Sequence, residues 1–338
     1  MLRCIQLAEN GLGNTYPNPL VGSVIVYKDK IIGEGWHYQS GMPHAEVNAI
    51  ASVKNQSLLK DATIYVSLEP CSHFGKTPPC ANLIIEKGIK TVIIGSMDPN
   101  PKVAGNGIKF LKDNGSYVLE RVLEKECNKL NKRFFTFFKK QRPYIILKWA
   151  ESSDGFISPK GKTEKRPVWI TNKKSRQLVH KWRAEESSIL IGTNTAIEDN
   201  PSLTTRDWEG NSPIRLVIDK SLKTPIDANV FDLKAKTIII TEVSKENEKN
   251  VVYELIDFSK NIAKQIIELV YRYKIQSLIV EGGAKTLQTF IDENLWDEAR
   301  IIKGIPFFKE GTKAPFINGK IYSETKIKQD TLKIILND

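Results

Sequence analysis

The sequence is poor in cysteine and histidine, with four of each in 338 residues. So few cysteines do not form the disulfide framework of a small secreted protein, and in a reducing compartment they are more often metal ligands, nucleophiles or buried apolar groups. No apolar run approaches the roughly 20 residues that span a bilayer. The N-terminal stretch MLRCIQLAEN also lacks the regions of a signal peptide. We therefore expect a cytoplasmic protein with no membrane partner.

The dinucleotide fingerprint G-x-G-x-x-G does not follow any predicted strand. Basic residues are in excess, with 50 Lys and Arg against 39 Asp and Glu and a formal net charge of +11. Such a charge favours anionic partners, which are either nucleic acid or phosphorylated small molecules. Because the lysines are spread along the whole chain, we favour a solvated surface over a nucleic-acid-binding patch.

Alternating strand and helix patterns divide the chain into two parts. In the first part the strands ATIYVSLEP and TVIIGSMD alternate with helices, and EKECNKLNKRFFTFFKK is predicted to be one basic amphipathic helix. Pro143 ends that helix. The alternation then restarts with the strand YIILKWA. We therefore predict two α/β domains, residues 1–142 and residues 143–338.

A candidate metal site combines PHAE with PCSHFGKTPPC. His44 lies at a predicted helix entry, Cys71 at a strand end and Cys80 at a helix start. One histidine and two thiolates leave a tetrahedral zinc ion with an open position, which is typical of a catalytic site. Residues two apart on a helix point roughly 200° away from each other, so Glu46 is predicted to exchange protons with the zinc-bound water rather than to bind the metal. This chemistry is the hydrolytic deamination of an aminopyrimidine-like ring.

Other interpretations fit parts of this pattern. A zinc nucleobase deaminase acting on nucleic acid predicts basic and aromatic residues clustered around the metal, whereas the loop between the cysteines contains one lysine. A structural zinc protein needs a fourth protein ligand, and His37, His73 and His180 are not well placed for it. Buried cysteines beside a helix-capping histidine are the simplest alternative, which the joint pattern of H-x-E and P-C disfavours.

The run LEPCSHFGKTPPC, with YPNPLVGSVIV before it and DPNPKVAGNGI after it, resembles the bifunctional deaminase/reductase family of riboflavin biosynthesis. The HAE of residues 44–46 together with the PC…C pattern of that run is similar to the cytidine-deaminase superfamily. The resemblance covers nearly the whole chain. It implies a cytidine-deaminase-like three-layer α/β domain followed by a dihydrofolate-reductase-like α/β domain. The enzyme would be a zinc hydrolase with one Zn²⁺ and an NADPH-dependent oxidoreductase, and a homo-oligomer (dimer or tetramer).

In this family the N-terminal domain deaminates 2,5-diamino-6-(5-phosphoribosylamino)pyrimidin-4(3H)-one. The resemblance gives the zinc ligands and the proton shuttle named above. Substrate contacts are expected from Asn18, His73, Lys76, Asp98 and Asn100. For Lys76 we predict a grip on the 5′-phosphate, and a solvated loop lysine is the alternative. Asp98 and Asn100 can equally be ordinary Asx turn residues.

In the second half, the motifs LKWAESSDGF, WITNKKSRQLVHKWR, IGTNTAIEDNPSLTTR and SLIVEGGAKTLQTF are similar to the family's reductase domain. That domain uses NADPH to reduce the ribosyl group of 5-amino-6-(5-phosphoribosylamino)uracil to ribityl. The residues that match its cofactor contacts are Ala150, Trp169, Thr195, Asp199, Gly283, Ala284, Lys285, Thr286, Leu287, Gln288 and Thr289. The double glycine suits close approach of the backbone to a phosphate.

The residues that match substrate contacts of the reductase are Arg183, Leu203, Arg206 and Glu281. We add Lys148 as a polar group near the reacting sugar. A solvated edge-strand lysine is the alternative for Lys148, and a helix surface charge is the alternative for Arg183. The chain departs from the family pattern GxSxWIT at Pro167, so the serine hydroxyl contact to the substrate is missing.

Overall fold

The computed structural model describes residues 1–72, 78–101, 103–162 and 167–337. The chain separates into two compact units, Met1–Gln141 and Arg142–Asp338. Each unit has its own buried apolar clusters and is an α/β unit, as predicted. Of the helices in these ranges, none is long and apolar enough to span a bilayer.

The first unit is built on one sheet in the described part of the chain. Its strands are β1 (Gly22–Tyr27), β2 (Lys30–Trp36), β3 (Thr63–Leu68), β4 (Thr91–Ser96) and β5 (Tyr117–Leu119). The strand order is β2-β1-β3-β4-β5. β1 is antiparallel to both of its neighbours, whereas β3, β4 and β5 are parallel. The carboxyl ends of β3 and β4 therefore lie side by side.

Helices cover both faces of this sheet, because alternate residues of a strand point to opposite sides. Ile25 of β1 and Ile64 of β3 belong to an apolar cluster with Ile50 on one face. Val24 packs with Cys4 on the other face. The helices that follow one another in this unit are α1 (Leu2–Glu9), α2 (Ala45–Ser52), α3 (Cys80–Glu86), α4 (Asn106–Asp113), α5 (Glu124–Leu130) and α6 (Lys132–Lys140). The result is the predicted three-layer arrangement.

The prediction of one continuous helix over residues 124–140 is wrong, because α5 and α6 are separated at Asn131. This residue has φ −99° and ψ 24°, outside α-helical values, and its surface is only 3% exposed. Its Oδ1 accepts a hydrogen bond from the Leu20 N–H, and its Nδ2 donates to the Leu20 carbonyl, both at 2.8 Å. A partner far away in the sequence thus fixes the break, and no local pattern indicates it.

The second unit contains a larger sheet and a small one. The strands along this part of the chain are β6 (Tyr144–Glu151), β7 (Phe156–Pro159), β8 (Ser188–Gly192), β9 (Ile214–Ile218), β10 (Thr237–Thr241), β11 (Val251–Leu255), β12 (Ser277–Gly282), β13 (Glu298–Lys303), β14 (Gly311–Lys313), β15 (Lys320–Ile327) and β16 (Asp330–Leu336). The large sheet has the order β11-β10-β9-β8-β12-β6-β13-β16-β15 over the described residues, and β7 pairs with β14. Neighbours from β11 to β13 are parallel, while β16 is antiparallel to β13 and β15.

The sequence patterns predict strands at YIILKWA, SILIG, IRLVID, TIIIT and SLIVEGG, which are β6, β8, β9, β10 and β12. They do not predict β7, β11, β13, β14, β15 and β16. The missed strands at the antiparallel end carry charges that interrupt the apolar pattern. In β13, for example, Arg300 is buried and donates to Glu298 at 2.6 Å. Because the two charges pair inside the protein, a charged stretch can still form an inner strand.

Helices also flank the large sheet. They are α7 (Lys173–Glu185), α8 (Thr193–Asp199), α9 (Ile262–Arg272) and α10 (Ala284–Asp292). Leu147 of β6 belongs to a cluster with Ile266 and Phe290 from α9 and α10. Its neighbour Ile146 belongs to a second cluster with Trp182 of α7. Because helices occupy both faces, the carboxyl ends of the parallel strands are the open edge where a ligand can enter.

Candidate active sites

The three predicted zinc ligands of the first unit lie together. His44 is the N-cap residue of α2, Cys71 follows β3, and Cys80 is the first residue of α3. The Nδ1 atom of His44 lies 3.7 Å from the Cys71 sulfur and 3.4 Å from the Cys80 sulfur. In a tetrahedral zinc site with Zn–S of about 2.3 Å and Zn–N of about 2.0–2.1 Å, nitrogen and sulfur are about 3.5 Å apart. These three residues therefore fit a zinc ion.

The two cysteines differ in their hydrogen bonds. The Cys80 N–H donates to the Cys71 sulfur at 3.3 Å. The hydrogen bond from the Cys80 thiol, followed by the one from His44, lowers the pKa of Cys71 to about 4, and the same pairing raises the pKa of Cys80. Because the two sulfur atoms share this hydrogen bond, the pair favours a thiolate at Cys71, and the thiolate is the form that binds metal.

Glu46 lies in the first turn of α2 and is 3% exposed. Its burial, followed by the negative charge at Cys71, raises the pKa of Glu46 to about 7. The carboxyl also interacts with the Cys80 thiol. A carboxyl group with a pKa near neutrality both accepts and donates a proton at physiological pH. Its position supports proton transfer beside the metal ligands rather than metal binding.

Asn18 is oriented by His37, which was considered above only as a fourth zinc ligand. The His37 Nδ1 lies 3.1 Å from the Pro43 carbonyl and must donate to it, so Nε2 accepts from the Asn18 amide at 3.0 Å. Burial lowers the pKa of His37, which favours the neutral ring. The His37 ring lies edge-on to the His44 ring, with centroids 5.3 Å apart. His37 therefore links the predicted substrate contact Asn18 to the predicted zinc ligand His44.

Asp98 and Asn100 follow β4 and lie next to the end of β3, because Leu68 and Ser96 are register partners. The Asp98 carboxylate accepts a hydrogen bond from the Asn100 N–H at 2.7 Å. This is an Asx turn, and it orders the segment without excluding a substrate contact. Burial raises the pKa of Asp98 to about 6. The remaining predicted contacts, His73 and Lys76, lie outside the described residues.

A cleft of about 770 Å³ opens in the second unit at the carboxyl ends of β6, β8, β9 and β12. The predicted residues that line this cleft are Lys148, Ala150, Trp169, Arg183, Thr195, Asp199, Leu203, Arg206, Glu281, Gly283, Ala284, Lys285, Thr286, Leu287 and Thr289. Gln288 does not line it, because its side chain bonds Asp292 and the Phe316 backbone. A cleft of this size and position is typical of ligand binding in α/β proteins.

Glycines bring the starts of α8 and α10 close together within the cleft. A Cβ atom added to Gly192 would lie 2.6 Å from the Thr286 hydroxyl, and one added to Gly283 would lie 3.2 Å from the Thr195 hydroxyl. The first N–H groups of a helix have no partner within that helix. The start of α10, which carries most of the predicted cofactor contacts, therefore suits the diphosphate of a dinucleotide.

Glu281 joins two cations in the cleft. Its Oε1 accepts from the Lys148 Nζ at 2.6 Å, and its Oε2 accepts from the Arg183 guanidinium at 2.7 Å. Burial opposes ionisation of Glu281, but the charges of Arg183 and Lys148 outweigh it and lower the pKa of Glu281 to about 2. Lys148 is not an edge-strand lysine, because β6 lies between β12 and β13. Arg183 is buried rather than a helix surface charge, and its Nε has no hydrogen-bond partner among the described residues.

Two further residues that line the cleft, Lys162 and His180, were not predicted from the sequence as site residues. Lys162 contacts the Asp199 carboxylate and donates to the Glu198 carbonyl at 3.1 Å. His180 accepts a hydrogen bond from the Arg206 N–H at 3.2 Å through Nδ1. The helical pattern of α7 placed His180 on a helix but did not show that its side chain faces the cleft. Lys162 belongs to a lysine-rich loop that contains no recognisable motif. Pro167 lines the cleft.

Trp169 exposes 60% of its surface at the cleft. The Arg176 guanidinium lies 4.2 Å from the centroid of its ring. A cation over an indole face restricts the orientation of the ring. The opposite face of the ring is a flat apolar surface of the kind that suits a planar ligand group.

Comparisons with known proteins match both units. Residues 1–96 match the cytidine and deoxycytidylate deaminase zinc-binding region, and residues 143–319 match the RibD C-terminal domain. The riboflavin biosynthesis protein RibD of Aquifex aeolicus is 41% identical over 322 residues, which cover 92% of this chain and 87% of that protein. RibD of Bacillus amyloliquefaciens is 38% identical over 336 residues, covering 96% and 89%.

A solved structure shows the same architecture over nearly the full length. The Thermotoga maritima protein described as a diaminohydroxyphosphoribosylaminopyrimidine deaminase/5-amino-6-(5-phosphoribosylamino)uracil reductase is 37% identical, with a TM-score of 0.90. The similarity covers 99% of this chain and 97% of that one. The predicted fold class of both units is thereby confirmed.

Proposed function

The chain belongs to the RibD family of riboflavin biosynthesis proteins, and from this premise we propose the reaction of each site. It is a bifunctional enzyme whose deaminase domain uses Zn²⁺ and whose reductase domain uses NADPH. The first unit hydrolyses the amino group of 2,5-diamino-6-(5-phosphoribosylamino)pyrimidin-4(3H)-one. The second reduces the ribosyl group of the resulting 5-amino-6-(5-phosphoribosylamino)uracil to ribityl. The observation that carries this proposal is the group of His44, Cys71 and Cys80 with the buried Glu46 beside it.

His44, Cys71 and Cys80 would hold the zinc ion, which would supply the Lewis acidity that activates water for hydrolysis of the amino group. Glu46 moves the two protons of the attacking water one after the other. Its carboxylate takes the first and hands it to the ring nitrogen, then takes the second and hands it to the departing amine, which leaves as ammonia. The raised pKa of Glu46 suits both halves of this transfer. Asn18, Asp98 and Asn100 hold the pyrimidine and its ribose, while contact of Lys76 and His73 with the 5′-phosphate stays a prediction.

NADPH bound in the cleft of the second unit would supply the hydride for reduction of C1′ of the opened ribose. The chain's part is to hold the two reactants in place. The starts of α8 and α10 and the exposed ring of Trp169 bind the cofactor. Arg183 and Arg206 bind the substrate. A planar guanidinium suits this role because it forms two parallel hydrogen bonds to phosphate or sugar oxygens. Glu281 keeps Lys148 in the cleft as a cation that donates a hydrogen bond to the sugar oxygen.

The alternative of a deaminase acting on nucleic acid is not favoured. The chain matches riboflavin biosynthesis proteins over both units. A deaminase acting on nucleic acid would leave the second α/β unit and its cleft unexplained. The homo-oligomeric state and the cytoplasmic location stay predictions.

One assay tests both reactions. Purified protein incubated with the diaminopyrimidine ribotide should release ammonia without NADPH, and should oxidise NADPH only once deaminated product has formed. The variant Lys148→Met should keep ammonia release and lose NADPH oxidation. Ammonia release that occurs only with nucleic acid, or NADPH oxidation before any ammonia appears, would contradict the proposal.

A further inference from the structure

Glu69 directly follows β3 and is 4% exposed, yet neither proposed reaction uses it. Its two carboxylate oxygens accept hydrogen bonds from four backbone N–H groups, those of Asp98 (3.3 Å), Gly105 (3.0 Å), Gly107 (2.9 Å) and Ile108 (3.2 Å). All four donors belong to the described residues of the segment that leads from β4 into α4, residues 98–101 and 103–108. One side chain therefore binds this segment at both of its ends.

The arrangement requires a carboxylate at this position. A buried carboxylate is costly unless hydrogen bonds satisfy its oxygens, and each oxygen of Glu69 accepts two N–H groups. An amide in its place would turn one of these oxygens into an NH₂ group that faces two donors. That change breaks two hydrogen bonds and sets donors against donors.

A second contact fixes the same segment against the metal-binding strand. A Cβ atom on Gly107 would lie 2.0 Å from the carbonyl oxygen of Pro70. Pro70 stands between Glu69 and the zinc ligand Cys71. Any side chain at residue 107 would therefore push α4 and the loop before it away from the ligand strand.

The segment bound in this way carries Asp98 and Asn100. Both follow β4, whose end is already joined to β3 by the hydrogen bond from the Glu69 N–H to the Ser96 carbonyl at 2.9 Å. The Asp98 N–H is one of the four donors to Glu69. The position of the proposed substrate contacts relative to Cys71 is thus set by the carboxylate of Glu69.

We infer that Glu69 is a positioning residue of the deaminase, which holds Asp98 and Asn100 at the distance from the zinc ligands that the ribotide requires. This inference rests on the proposed function. Among the described residues, no hydrogen bond joins Glu69 to the metal-site side chains of His44, Cys71 and Cys80. Its loss should therefore weaken substrate binding more than metal binding or chemistry.

The decisive measurement is the steady-state kinetics of ammonia release by Glu69→Gln. We expect KM for the ribotide to rise on the order of tenfold or more, because two buried hydrogen bonds are lost. We expect kcat to change much less and zinc content to stay at that of the wild type. Unchanged zinc content shows that the deaminase unit is folded, and unchanged NADPH oxidation with 5-amino-6-(5-phosphoribosylamino)uracil shows that the reductase unit is folded.

A second variant reaches the same segment without touching the carboxylate. Gly107→Ala should also raise KM, because its Cβ displaces the segment from Pro70. Lys109→Ala, on the exposed side of α4, is the matched control and should keep the wild-type KM. If Glu69→Gln does not fold, the Gly107 variant decides the question.

An unchanged KM in both variants would overturn the inference. So would loss of zinc with a fall in kcat at constant KM, because Glu69 would then support the metal site instead of the substrate. A wild-type protein that releases no ammonia from the ribotide overturns the proposed function itself, and this result differs from either of the others.

Discussion

The backbone N–H of Cys80 donates to the sulfur of Cys71 at 3.3 Å. Cys80 is the first residue of α3, and Cys71 lies three residues after the end of β3. The hydrogen bond therefore joins the start of this helix to the end of this strand. Two cysteines with eight residues between them can therefore share a metal ion, because strand and helix packing places them together. The intervening loop does not need the short spacing of a compact zinc motif.

Removal of zinc should separate the two activities. Cys80→Ser replaces a thiolate by a weaker ligand, so we expect zinc content and ammonia release to fall together while NADPH oxidation with the deaminated substrate persists. Metal analysis and the two assays check this result. Cys127→Ala is the control, since Cys127 is buried but lies outside the ligand group. If Cys80→Ser loses both activities to the same extent, the prediction that the deaminase and reductase sites act independently is contradicted.

Glu46→Gln should stop proton transfer and leave the metal bound. General acid–base catalysis contributes about 10²- to 10⁴-fold to a rate, so kcat for ammonia release should fall by that order. Zinc content should equal that of the wild type, because Glu46 is not among the clustered ligands. Full deaminase activity in this variant would show that another group carries the proton.

The buried carboxylate of Glu281 should make stability depend on pH. Because Arg183 and Lys148 hold its folded-state pKa at about 2, below the ordinary value of 4.5, the stabilisation is complete above pH 4.5 and is lost as pH falls toward 2. A shift of this size corresponds to a free energy on the order of 3 kcal/mol. The difference in unfolding free energy between the wild type and Glu281→Gln should therefore shrink from pH 6 to pH 3.

Denaturant unfolding of the whole chain, followed by tryptophan fluorescence, measures this difference. Five of the six tryptophans belong to the second unit, so the signal reports mainly on the domain that contains Glu281. A difference that stays constant with pH would contradict this prediction, because it would mean that folding does not lower the pKa of Glu281.

Asn131→Ala should destabilise the deaminase unit. The substitution removes two hydrogen bonds and leaves the buried N–H and carbonyl groups of Leu20 without them, and such a group costs about 1–3 kcal/mol. We expect a loss of about 3 kcal/mol, measured as a lower urea midpoint for ammonia release. Asn114→Ala, whose amide makes one exposed hydrogen bond at the end of α4, should have a much smaller effect.

Lys76→Ala tests the predicted grip on the 5′-phosphate. A cation bound to a phosphate makes charge-assisted hydrogen bonds, so KM for the phosphorylated substrate should rise about tenfold or more. The dephosphorylated substrate should bind the variant and the wild type equally. Equal affinity of both proteins for the phosphorylated form would leave Lys76 as a solvated loop lysine.

The sequence alone determined the chemistry of the deaminase site and most of the α/β alternation. His44, Glu46, Cys71 and Cys80 stand in short motifs, and the elements that carry them follow from local apolar patterns. Such features are readable because ligand chemistry belongs to the side chain itself, and because strand and helix periods extend over only a few residues. The strands β6, β8, β9, β10 and β12 were predicted for the same reason.

Only the tertiary structure decided which distant groups meet. Lys148 and Glu281 are 133 residues apart and Asn131 and Leu20 are 111 residues apart, and no local pattern links either pair. The carboxylate of Glu69 stands next to a zinc motif, but its four donors come from a segment beyond the next strand. A buried charge is stable only where the packing of the chain places its partners beside it. The sequence could therefore assign these residues to their helices and strands, but it could not show with which groups each one forms hydrogen bonds or ion pairs.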